Sequence, residues 1–496
     1  MAKIEQFSSR WALLLATLGM AIGAGNIWRF PRLAGEYGGV FLIPWAFFLI
    51  LWSVPLIMVE FALGKKTRKG PIGAFADFLG KKYTWMGGFV TLCTMGIMFY
   101  YSVVTGWALK YFLSAASGAL NGVDHSVYWN TFTSSGIQPV MFHLVSITLA
   151  SVIIYQGILN GIERANRILL PSLLLLLIVG AVRSLTLDGS SAGLEYFFGF
   201  KTEALYNYKM WLETLSQSAW STGAGWGLVL TYSVYMREKE DITLNSFLTG
   251  FGNNSASLLA GLVIVPAVFA LAGTIGAVGG DLGAEKFAAA EAALRAGNEG
   301  LGFIVIPQLF SKLPASTLLT SFFFLALFFA ALSSLIAMME LSTRMLMDFG
   351  FERRKALPII AVLCAVLGIP SAYSMTFFKN QDWVWGLGLI ISGSFFAFAA
   401  IKTGVNTFRE TYLNRPENNV HVGRWFNVVM GVFIPVEAAI LMLGWFYREW
   451  DVVAWWDPTR PFSLATCLLQ WGTLILMLLI FNSWIYDRVS GKESKA

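Results

Sequence analysis

Residues able to bind a dehydrated cation interrupt an apolar segment near the start of the chain. Residues 19–31 include three glycines, Asn26, Arg29 and a closing proline. Glycine and proline weaken a helix, and unwinding frees backbone carbonyl oxygens. At hydrocarbon depth such backbone survives only where it is buried in protein or lines a wet cavity. The interruption therefore predicts a binding site inside a membrane protein, as in transporters with broken helices.

A second interruption, at residues 221–225, places the hydroxyl of Ser221 beside two glycines. Further oxygens come from Asn253 and from the neighbouring Ser333 and Ser334. A lone serine in a membrane helix usually bonds to a carbonyl one turn earlier, and glycines can simply allow close helix packing. Two interruptions with polar side chains beside them instead favour a cation site.

Few acids occur in the apolar segments, and none lies in an interruption. These acids are Glu60, Glu213 and Glu340. Free backbone amides at the start of a half-helix can bind a carboxylate. Because no fixed anion is there to hold a cationic amine, the site suits a zwitterion whose own carboxylate balances the charge.

Apolar segments of membrane-spanning length carry these residues. The chain has 496 residues, 56% hydrophobic and 13% charged, against about 25% charged in soluble domains. Runs of roughly 18 or more apolar residues predict transmembrane helices. We count about twelve, at residues 11–35, 40–64, 87–115, 140–158, 167–185, 210–236, 244–274, 315–348, 357–374, 383–404, 424–447 and 463–486. The predicted fold class is an all-α polytopic membrane protein.

The interrupted segments are the first and the sixth, as expected if two inverted repeats each begin with a discontinuous helix. Repeat one would cover about residues 11–185 and repeat two about 210–404. Two extra helices would follow at about 424–486. The prediction is a single transmembrane transporter domain, residues 1–496, with a 5+5 inverted-repeat fold and broken helices 1 and 6.

The net charge of +6 follows the predicted topology. Lysines and arginines crowd the loops after even-numbered segments, whereas residues 117–138 contain none. By the positive-inside rule, the basic loops and both termini are cytoplasmic in a multi-pass protein of the cell's inner (plasma) membrane. The basic balance therefore indicates topology, and we expect no nucleic-acid partner. The short ends favour a prokaryotic protein without regulatory tails.

Other function classes lack the residues that they need. Cys93, Cys364 and Cys467 lie in apolar segments without disulfide or zinc spacing, and the three histidines are scattered. No histidine lies in either interruption, so a nucleophile and base pair is missing. A channel would repeat around an axis and carry filter loops, which the sequence does not show. We expect that the protein is not an enzyme.

Several motifs follow one another along the chain. The first two are Gly19-x-Ala-x-Gly-x-Gly-Asn-x-Trp-Arg-Phe-Pro31 and Gly38-Gly-x-Phe-Leu-Ile-Pro44. The next are Phe99-Tyr-Tyr101, Thr231-Tyr-Ser-Val-Tyr235 and Phe329-Ala-Ala-Leu-Ser-Ser334. In these motifs the chain resembles prokaryotic amino acid transporters of the neurotransmitter:sodium symporter family. The resemblance implies a twelve-helix fold and alternating access driven by a sodium gradient.

Two sodium sites are implied by this resemblance. The first would use the Ala21 carbonyl, Asn26, Ser221 and Asn253, with the substrate carboxylate. The second would use the carbonyls of Gly19, Ile22 and Ala330 with the hydroxyls of Ser333 and Ser334. Glu60 matches the family acid that supports the unwound backbone of helix 6.

The resemblance also implies a substrate pocket. Its residues would be Met20, Ala21, Ala24, Gly25, Ile97, Tyr101, Trp220, Ser221, Gly223, Trp226, Ser334 and Met338. Amides near Gly25 and the Tyr101 hydroxyl would hold the carboxylate, while Ser334 and nearby carbonyls would hold the amine. Gly23 stands where monoamine transporters carry an aspartate, so amino acids fit better than biogenic amines.

Gate residues are implied at both ends of the pocket. Arg29 and Asp382 match the external gate pair of the family. Phe7, Tyr235 and Asp348 match the internal gate.

Chloride dependence is left open by the resemblance. Gln217, Ser221 and Ser257 match the ligands of chloride-dependent members. The family tyrosine on helix 2 is Trp45 here, which cannot offer a hydroxyl.

We predict a Na⁺-coupled symporter of neutral amino acids that works by alternating access. A pocket with aromatic walls and a small floor favours a small or N-methylated amino acid through cation–π contact. Larger apolar or aromatic amino acids remain an alternative, as does sodium-independent exchange on the same fold. The expected ligands are Na⁺ at two sites, chloride as a possibility, and a zwitterionic amino acid. We expect a monomer or a weak dimer in the lipid bilayer.

Overall fold

The structure, a computed structural model, describes residues 5–200, 202–272, 282–416, 418–450 and 454–491. Across these ranges every regular element is a helix and none is a strand. Nine of the described helices are long and apolar enough to span a membrane, and two bent helix pairs raise that number to eleven. The broken helix formed by Tyr208–Ser221 and Leu228–Ser233 supplies the twelfth expected segment. The predicted all-α polytopic class is confirmed.

We number the spanning helices in chain order. They are α1 (Arg10–Ala21 and Ala24–Tyr37), α2 (Gly39–Thr67), α3 (Lys81–Ala116), α4 (Ile137–Tyr155), α5 (Ile158–Leu185), α6 (Tyr208–Ser221 and Leu228–Ser233), α7 (Ile242–Ala272), α8 (Ser316–Asp348), α9 (Arg353–Tyr373), α10 (Met375–Thr403), α11 (Trp425–Tyr447) and α12 (Leu464–Ile480 and Asn482–Val489). Shorter connecting helices are Pro71–Leu79, His125–Ser134, Ser190–Phe198, Thr202–Tyr206, Leu282–Leu294, Asn298–Gly300, Leu301–Val305, Ile306–Phe310 and Val405–Phe408.

Burial separates central helices from peripheral ones. In α3 and in α8, 83% of the most apolar stretch of 18 residues is buried within the protein, whereas in α4 and in α5 the buried share of that stretch is 33%. Because lipid solvates apolar side chains, a helix with an exposed apolar face lies at the periphery of a membrane bundle. The central pair, α3 and α8, packs together along its length and carries Tyr101 and Ser334 into the interior.

A side chain close by in sequence holds the break in α1. The first half ends when the Ile22 N–H bonds to the Leu18 carbonyl, and the second half begins at Ala24. Between them, the Gly23 N–H donates to Asn26 Oδ1 at 2.9 Å instead of continuing the helix. An asparagine that competes for backbone donors in this way favours a helix terminus. The two halves are bent by 67°.

The break in α6 depends on glycines and on an acid from α2. Gly223, Gly225 and Gly227 have φ values of +71°, +87° and +78°, a region that glycine adopts without steric cost. The Gly225 N–H donates to Glu60 Oε1 at 2.7 Å, and the Leu230 N–H donates to Glu60 Oε2 at 3.1 Å. Glu60 therefore lies where the resemblance placed it, and it satisfies amides that the unwound backbone would otherwise leave unpaired.

Candidate substrate and ion site

A cavity of about 40 Å³ lies between the two helix breaks. Residues from α1, α3, α6 and α8 surround it. Its lining consists of Met20, Ala21, Gly23, Gly25, Asn26, Arg29, Tyr101, Gln217, Trp220, Ser221, Gly223, Trp226, Leu228, Ser334 and Met338. Ten of the twelve predicted substrate residues are in this set.

The other two predicted substrate residues, Ala24 and Ile97, are fully buried and do not line the cavity. Ala24 faces the site only through its backbone, because its N–H donates to the Tyr101 hydroxyl at 3.0 Å. Ile97 lies one helical turn before Tyr101 on α3. One turn separates the two residues by about 5.4 Å along the helix, which is enough to place the Ile97 side chain outside so small a cavity.

Gly23 fits closely between two hydroxyl groups. A methyl group at this position would lie 2.8 Å from Tyr101 Oη and 3.0 Å from Ser334 Oγ. A side chain as large as aspartate would displace both hydroxyls. The polar surface of the cavity therefore depends on glycine at position 23.

Three oxygen atoms converge at the first predicted sodium site. Asn253 Oδ1 lies 2.9 Å from the Ser221 carbonyl oxygen and 3.1 Å from the Ala21 carbonyl oxygen. Rotating the Asn253 amide would point its nitrogen at these carbonyls, but it would also turn that nitrogen towards Asn26 Nδ2, which lies 2.8 Å away. The Asn26 amide is held in place because its oxygen accepts the Gly23 N–H. The oxygen orientation of Asn253 therefore stands, and it suits a cation.

Hydroxyl and carbonyl groups of α8 and α1 meet at the second predicted sodium site. Ser333 Oγ donates to the Ala330 carbonyl at 3.0 Å. Ser334 Oγ lies 3.2 Å from the same carbonyl and donates to the Met20 carbonyl at 3.0 Å. A methyl group on Gly19 would lie 3.5 Å from Ser333 Cβ, so the backbone of α1 is close to both serines. Ile22, which ends the first half of α1, is also buried.

In the described part of the chain, unpartnered buried N–H groups occur on Gln217, which is predicted to bind chloride, and on Trp45 of the neighbouring helix α2. Neither amide atom of Gln217 has a hydrogen-bond partner among the described residues, and the side chain is fully buried. Ser257 Oγ accepts a hydrogen bond from Asn26 Nδ2 at 2.8 Å. The indole N–H of Trp45, on the part of α2 that packs against the first half of α6, is also buried and unpartnered within the described chain.

A larger cavity of about 410 Å³ adjoins the small one and shares Arg29 and Trp220 with it. Arg29 and Asp382, the predicted external gate pair, both line this cavity. Arg29 Nη2 donates to Ser216 Oγ at 3.0 Å, and no ion pair joins it to Asp382 in the part of the chain that the structure describes. Arg29 and Asp382 therefore face the same cavity without forming the ion pair that the resemblance implies.

Aromatic and charged residues seal the opposite end. The Phe7 N–H donates to the Tyr235 carbonyl at 3.0 Å, and the two rings lie edge to face at 6.4 Å. The Tyr235 hydroxyl donates to Glu340 Oε1 at 2.5 Å. Arg353 donates to both Glu340 oxygens, at 2.6 and 2.7 Å, and to the Tyr235 hydroxyl at 3.1 Å.

Asp348, the third residue matched to the internal gate, pairs with Arg344 at 3.1 Å and accepts the Gly70 N–H at 2.6 Å. Asp348 is thereby held by its own helix and by the α2–α3 connection. Its partner Arg344 lies over the Tyr235 ring, 6.0 Å from the ring centroid. Glu340 and Arg353 were not predicted at this gate, although an acid at membrane depth is a signal of function.

Comparisons with known proteins agree with this architecture. The profile of the sodium:neurotransmitter symporter family matches residues 4–139 and 135–443. An uncharacterized sodium-dependent transporter of Methanocaldococcus jannaschii is 32% identical over 87% of this chain and 88% of its own. An uncharacterized sodium-dependent transporter of Bacillus subtilis is 29% identical over 89% of this chain and 98% of its own.

A solved structure has the same fold. The crystal structure of MhsT in complex with L-phenylalanine has a TM-score of 0.76 and 26% sequence identity, covering 89% of this chain and 99% of that one. The predictions of a sodium-dependent membrane transporter, and not an enzyme, are confirmed. The chain belongs to the sodium:neurotransmitter symporter family.

Proposed function

We propose that this transporter couples the uptake of a small neutral amino acid to two sodium ions. The observation that carries the proposal is the convergence of Asn253 Oδ1 with the carbonyl oxygens of Ala21 and Ser221 beside the substrate cavity. Oxygens at such distances repel one another unless a cation lies among them. Because no acid lies in either break, a substrate carboxylate would supply the balancing negative charge.

The carboxylate of the substrate would bind at the start of the second half of α1. The Tyr101 hydroxyl already accepts the Ala24 N–H, so its own proton is free to be donated to a carboxylate. The backbone of Gly25 is next in the helix and lines the same cavity. The amine would face the carbonyls of Ala21 and Trp220 and the hydroxyl of Ser334. This arrangement distinguishes a zwitterion from a simple amine.

The dimensions of the cavity favour a small side chain. Trp220 and Trp226 stand edge to face with ring centroids 5.1 Å apart, and Met20 and Met338 narrow the remaining space. A volume of about 40 Å³ is well below the 150 Å³ cavity that holds benzene in an engineered protein.

The complex of MhsT with L-phenylalanine supports the competing candidate, an aromatic amino acid. Methionine side chains adapt readily to a larger neighbour, so Met20 and Met338 could move to admit one. The variants Met20→Ala and Met338→Ala should shift preference toward larger amino acids if these side chains set the limit.

Chloride is proposed as a third ion, held by Gln217, Ser221 and Ser257 with help from the Trp45 indole. A buried polar group without a partner costs about 1–3 kcal/mol, and Gln217 and Trp45 both carry such groups. An N–H donor serves an anion as well as a hydroxyl does. Trp45 could therefore replace the tyrosine that the family usually has, so its lack of a hydroxyl does not argue against chloride.

Thermal stabilisation of the purified protein tests these assignments. Each proteinogenic and N-methylated amino acid is added in NaCl, KCl and sodium gluconate. A ligand at 100 times its Kd stabilises the folded state by about 2.7 kcal/mol, which raises Tm visibly. We expect stabilisation by a small amino acid in NaCl, less in gluconate and none in KCl. A shift that persists in KCl would instead favour sodium-independent exchange.

A single substitution then tests the placement of the second sodium site. Ser334→Ala removes a hydroxyl predicted to bind both sodium and the substrate amine. The rise in Tm that sodium and substrate produce should be smaller in this variant than in the wild type. Unchanged sodium dependence in this variant would contradict the placement of the second site.

A further inference from the structure

Asn166 on α5 has a buried amide oxygen with no hydrogen-bond partner among the described residues. The side chain is fully buried, and its Nδ2 donates to the Ile162 carbonyl one turn earlier, at 2.9 Å. That bond fixes which end of the amide points away from α5. An unsatisfied oxygen at this depth costs about 1–3 kcal/mol, so its orientation needs an explanation.

The unpartnered oxygen of Asn166 points at the backbone of α1. A methyl group built on Gly19 would lie 2.1 Å from Asn166 Oδ1 and 3.5 Å from Ser333 Cβ. Asn166, Gly19 and Ser333 therefore meet at one point between α1, α5 and α8. Because a Cβ leans toward the N-terminus of its helix, Asn166 Oδ1 lies on the N-terminal side of Gly19.

The Gly19 carbonyl has lost the donor that an unbroken helix would give it. That donor is the Gly23 N–H, which bonds to Asn26 Oδ1 instead. Within the described residues no other N–H or O–H donates to the Gly19 carbonyl. Two buried oxygens without donors, one from the Asn166 side chain and one from the Gly19 backbone, thus belong to residues that meet next to Ser333. Neutral oxygens gathered around unwound backbone are the usual ligands of a transported cation.

We propose that Asn166 supplies an oxygen from α5 to the sodium ion of the second site, in addition to the five ligands from α1 and α8. The proposal rests on the proposed function, because it assumes that sodium binds there. It adds a third helix, α5, to the site. The competing explanation is a weak Cα–H···O contact from Gly19, which would make Asn166 a packing residue only.

The half-saturating sodium concentration for substrate-induced thermal stabilisation tests the proposal in the full chain. Asn166→Ala should raise the half-saturating sodium concentration about tenfold, which corresponds to about 1.4 kcal/mol of binding free energy. Substrate affinity at saturating sodium should change little. Asn166→Asp keeps an oxygen and adds charge, so it should retain tight sodium binding and remains informative if the alanine variant does not fold.

Asn245 on α7 provides a matched control. It too is fully buried, donates its Nδ2 to the carbonyl four residues earlier, and has an oxygen without a partner among the described residues. It lies near the start of α7, outside the predicted ion sites. Asn245→Ala should leave the half-saturating sodium concentration unchanged, even if Tm falls as it does for Asn166→Ala.

The outcomes separate this inference from the proposed function. If the wild-type protein shows no sodium-dependent stabilisation, the proposed function fails. If the wild type depends on sodium but Asn166→Ala has the same half-saturating concentration, only the role of Asn166 is overturned. Combining Asn166→Ala with Ser333→Ala adds a further check, because ligands of one ion should show non-additive effects. Additive effects would contradict a shared ion.

Discussion

The carboxylate of Glu60 on α2 holds the unwound backbone of α6 at Gly225, whose N–H lies 2.7 Å from Glu60 Oε1. The second oxygen of Glu60 accepts the Leu230 N–H beyond the break. One side chain thus spans the interruption from outside the helix. The shape of α6 is therefore a property of two helices packed together.

Replacing Glu60 tests this support. Glu60→Gln keeps one acceptor but turns an N–H donor toward the donors of α6, so we expect a loss of about 1–3 kcal/mol in the free energy of unfolding. The measurement is Tm of the purified protein without substrate. Glu203→Gln, at an exposed position, is the control and should melt like the wild type. Equal Tm values for the two variants would show that Glu60 does not support the break.

The Tyr101 hydroxyl should contribute to substrate binding more than to stability. Tyr101→Phe removes the donor proposed for the substrate carboxylate, and hydrogen bonds to charged groups contribute about 1.5–3 kcal/mol. We therefore expect substrate Kd to rise at least about tenfold at saturating sodium. Tyr111→Phe is the control, because that hydroxyl is also on α3 and has no hydrogen-bond partner among the described residues. A Tyr101→Phe variant with unaltered Kd would remove this contact from the site.

Removing Arg353 should destabilise the sealed end of the pathway. Arg353→Gln leaves the fully buried Glu340 without its partner, and breaking a buried pair costs about 3–5 kcal/mol. Arg353→Gln combined with Glu340→Gln should recover much of the lost Tm, since no charge is then left unpaired. Arg354→Gln, at the exposed neighbouring position, should have little effect. Failure of the double variant to recover would mean that packing, and not charge, dominates.

The indole of Trp45 should matter for chloride and not merely for packing. Trp45→Phe keeps an aromatic ring but removes the N–H, so the chloride concentration for half-maximal stabilisation should rise several-fold. Trp52→Phe is a close control, because Trp52 lies on the same helix and also has a buried indole N–H without a partner in the described chain. If both variants need the same chloride concentration as the wild type, Trp45 is not a ligand.

The two helix breaks could be predicted because local sequence specifies them. Glycines beside Asn26 and Ser221 mark the two breaks, and membrane burial requires freed carbonyls to be used. Ser333 and Ser334 follow one another on a single helix, so the proximity of their hydroxyls needs no tertiary information. These residues are also the ones that carry the family resemblance.

Long-range pairings could not be predicted in the same way. Arg353 begins α9, whereas Glu340 lies within α8. Only the fold shows that Arg353 donates both to Glu340 and to the Tyr235 hydroxyl. Nothing in the local sequence shows that the Asn166 oxygen points at Gly19 rather than at a donor. Asp348 was matched to the internal gate without a partner, and it pairs with Arg344, which is one turn earlier on the same helix and within easy reach.

The Asn26 carboxamide takes part in the backbone break and in the proposed ion site at once, since its oxygen accepts the Gly23 N–H and its nitrogen donates to Asn253 and Ser257. Thermodynamic linkage then makes the shape of α1 and its affinity for ions a single equilibrium. An ion that binds beside Asn26 stabilises the interrupted form of α1 relative to the straight form. The size of that stabilisation is the difference between the ion's binding free energies in the two forms. A chain in which α1 became straight would lose its affinity for sodium even with every ligand atom still encoded.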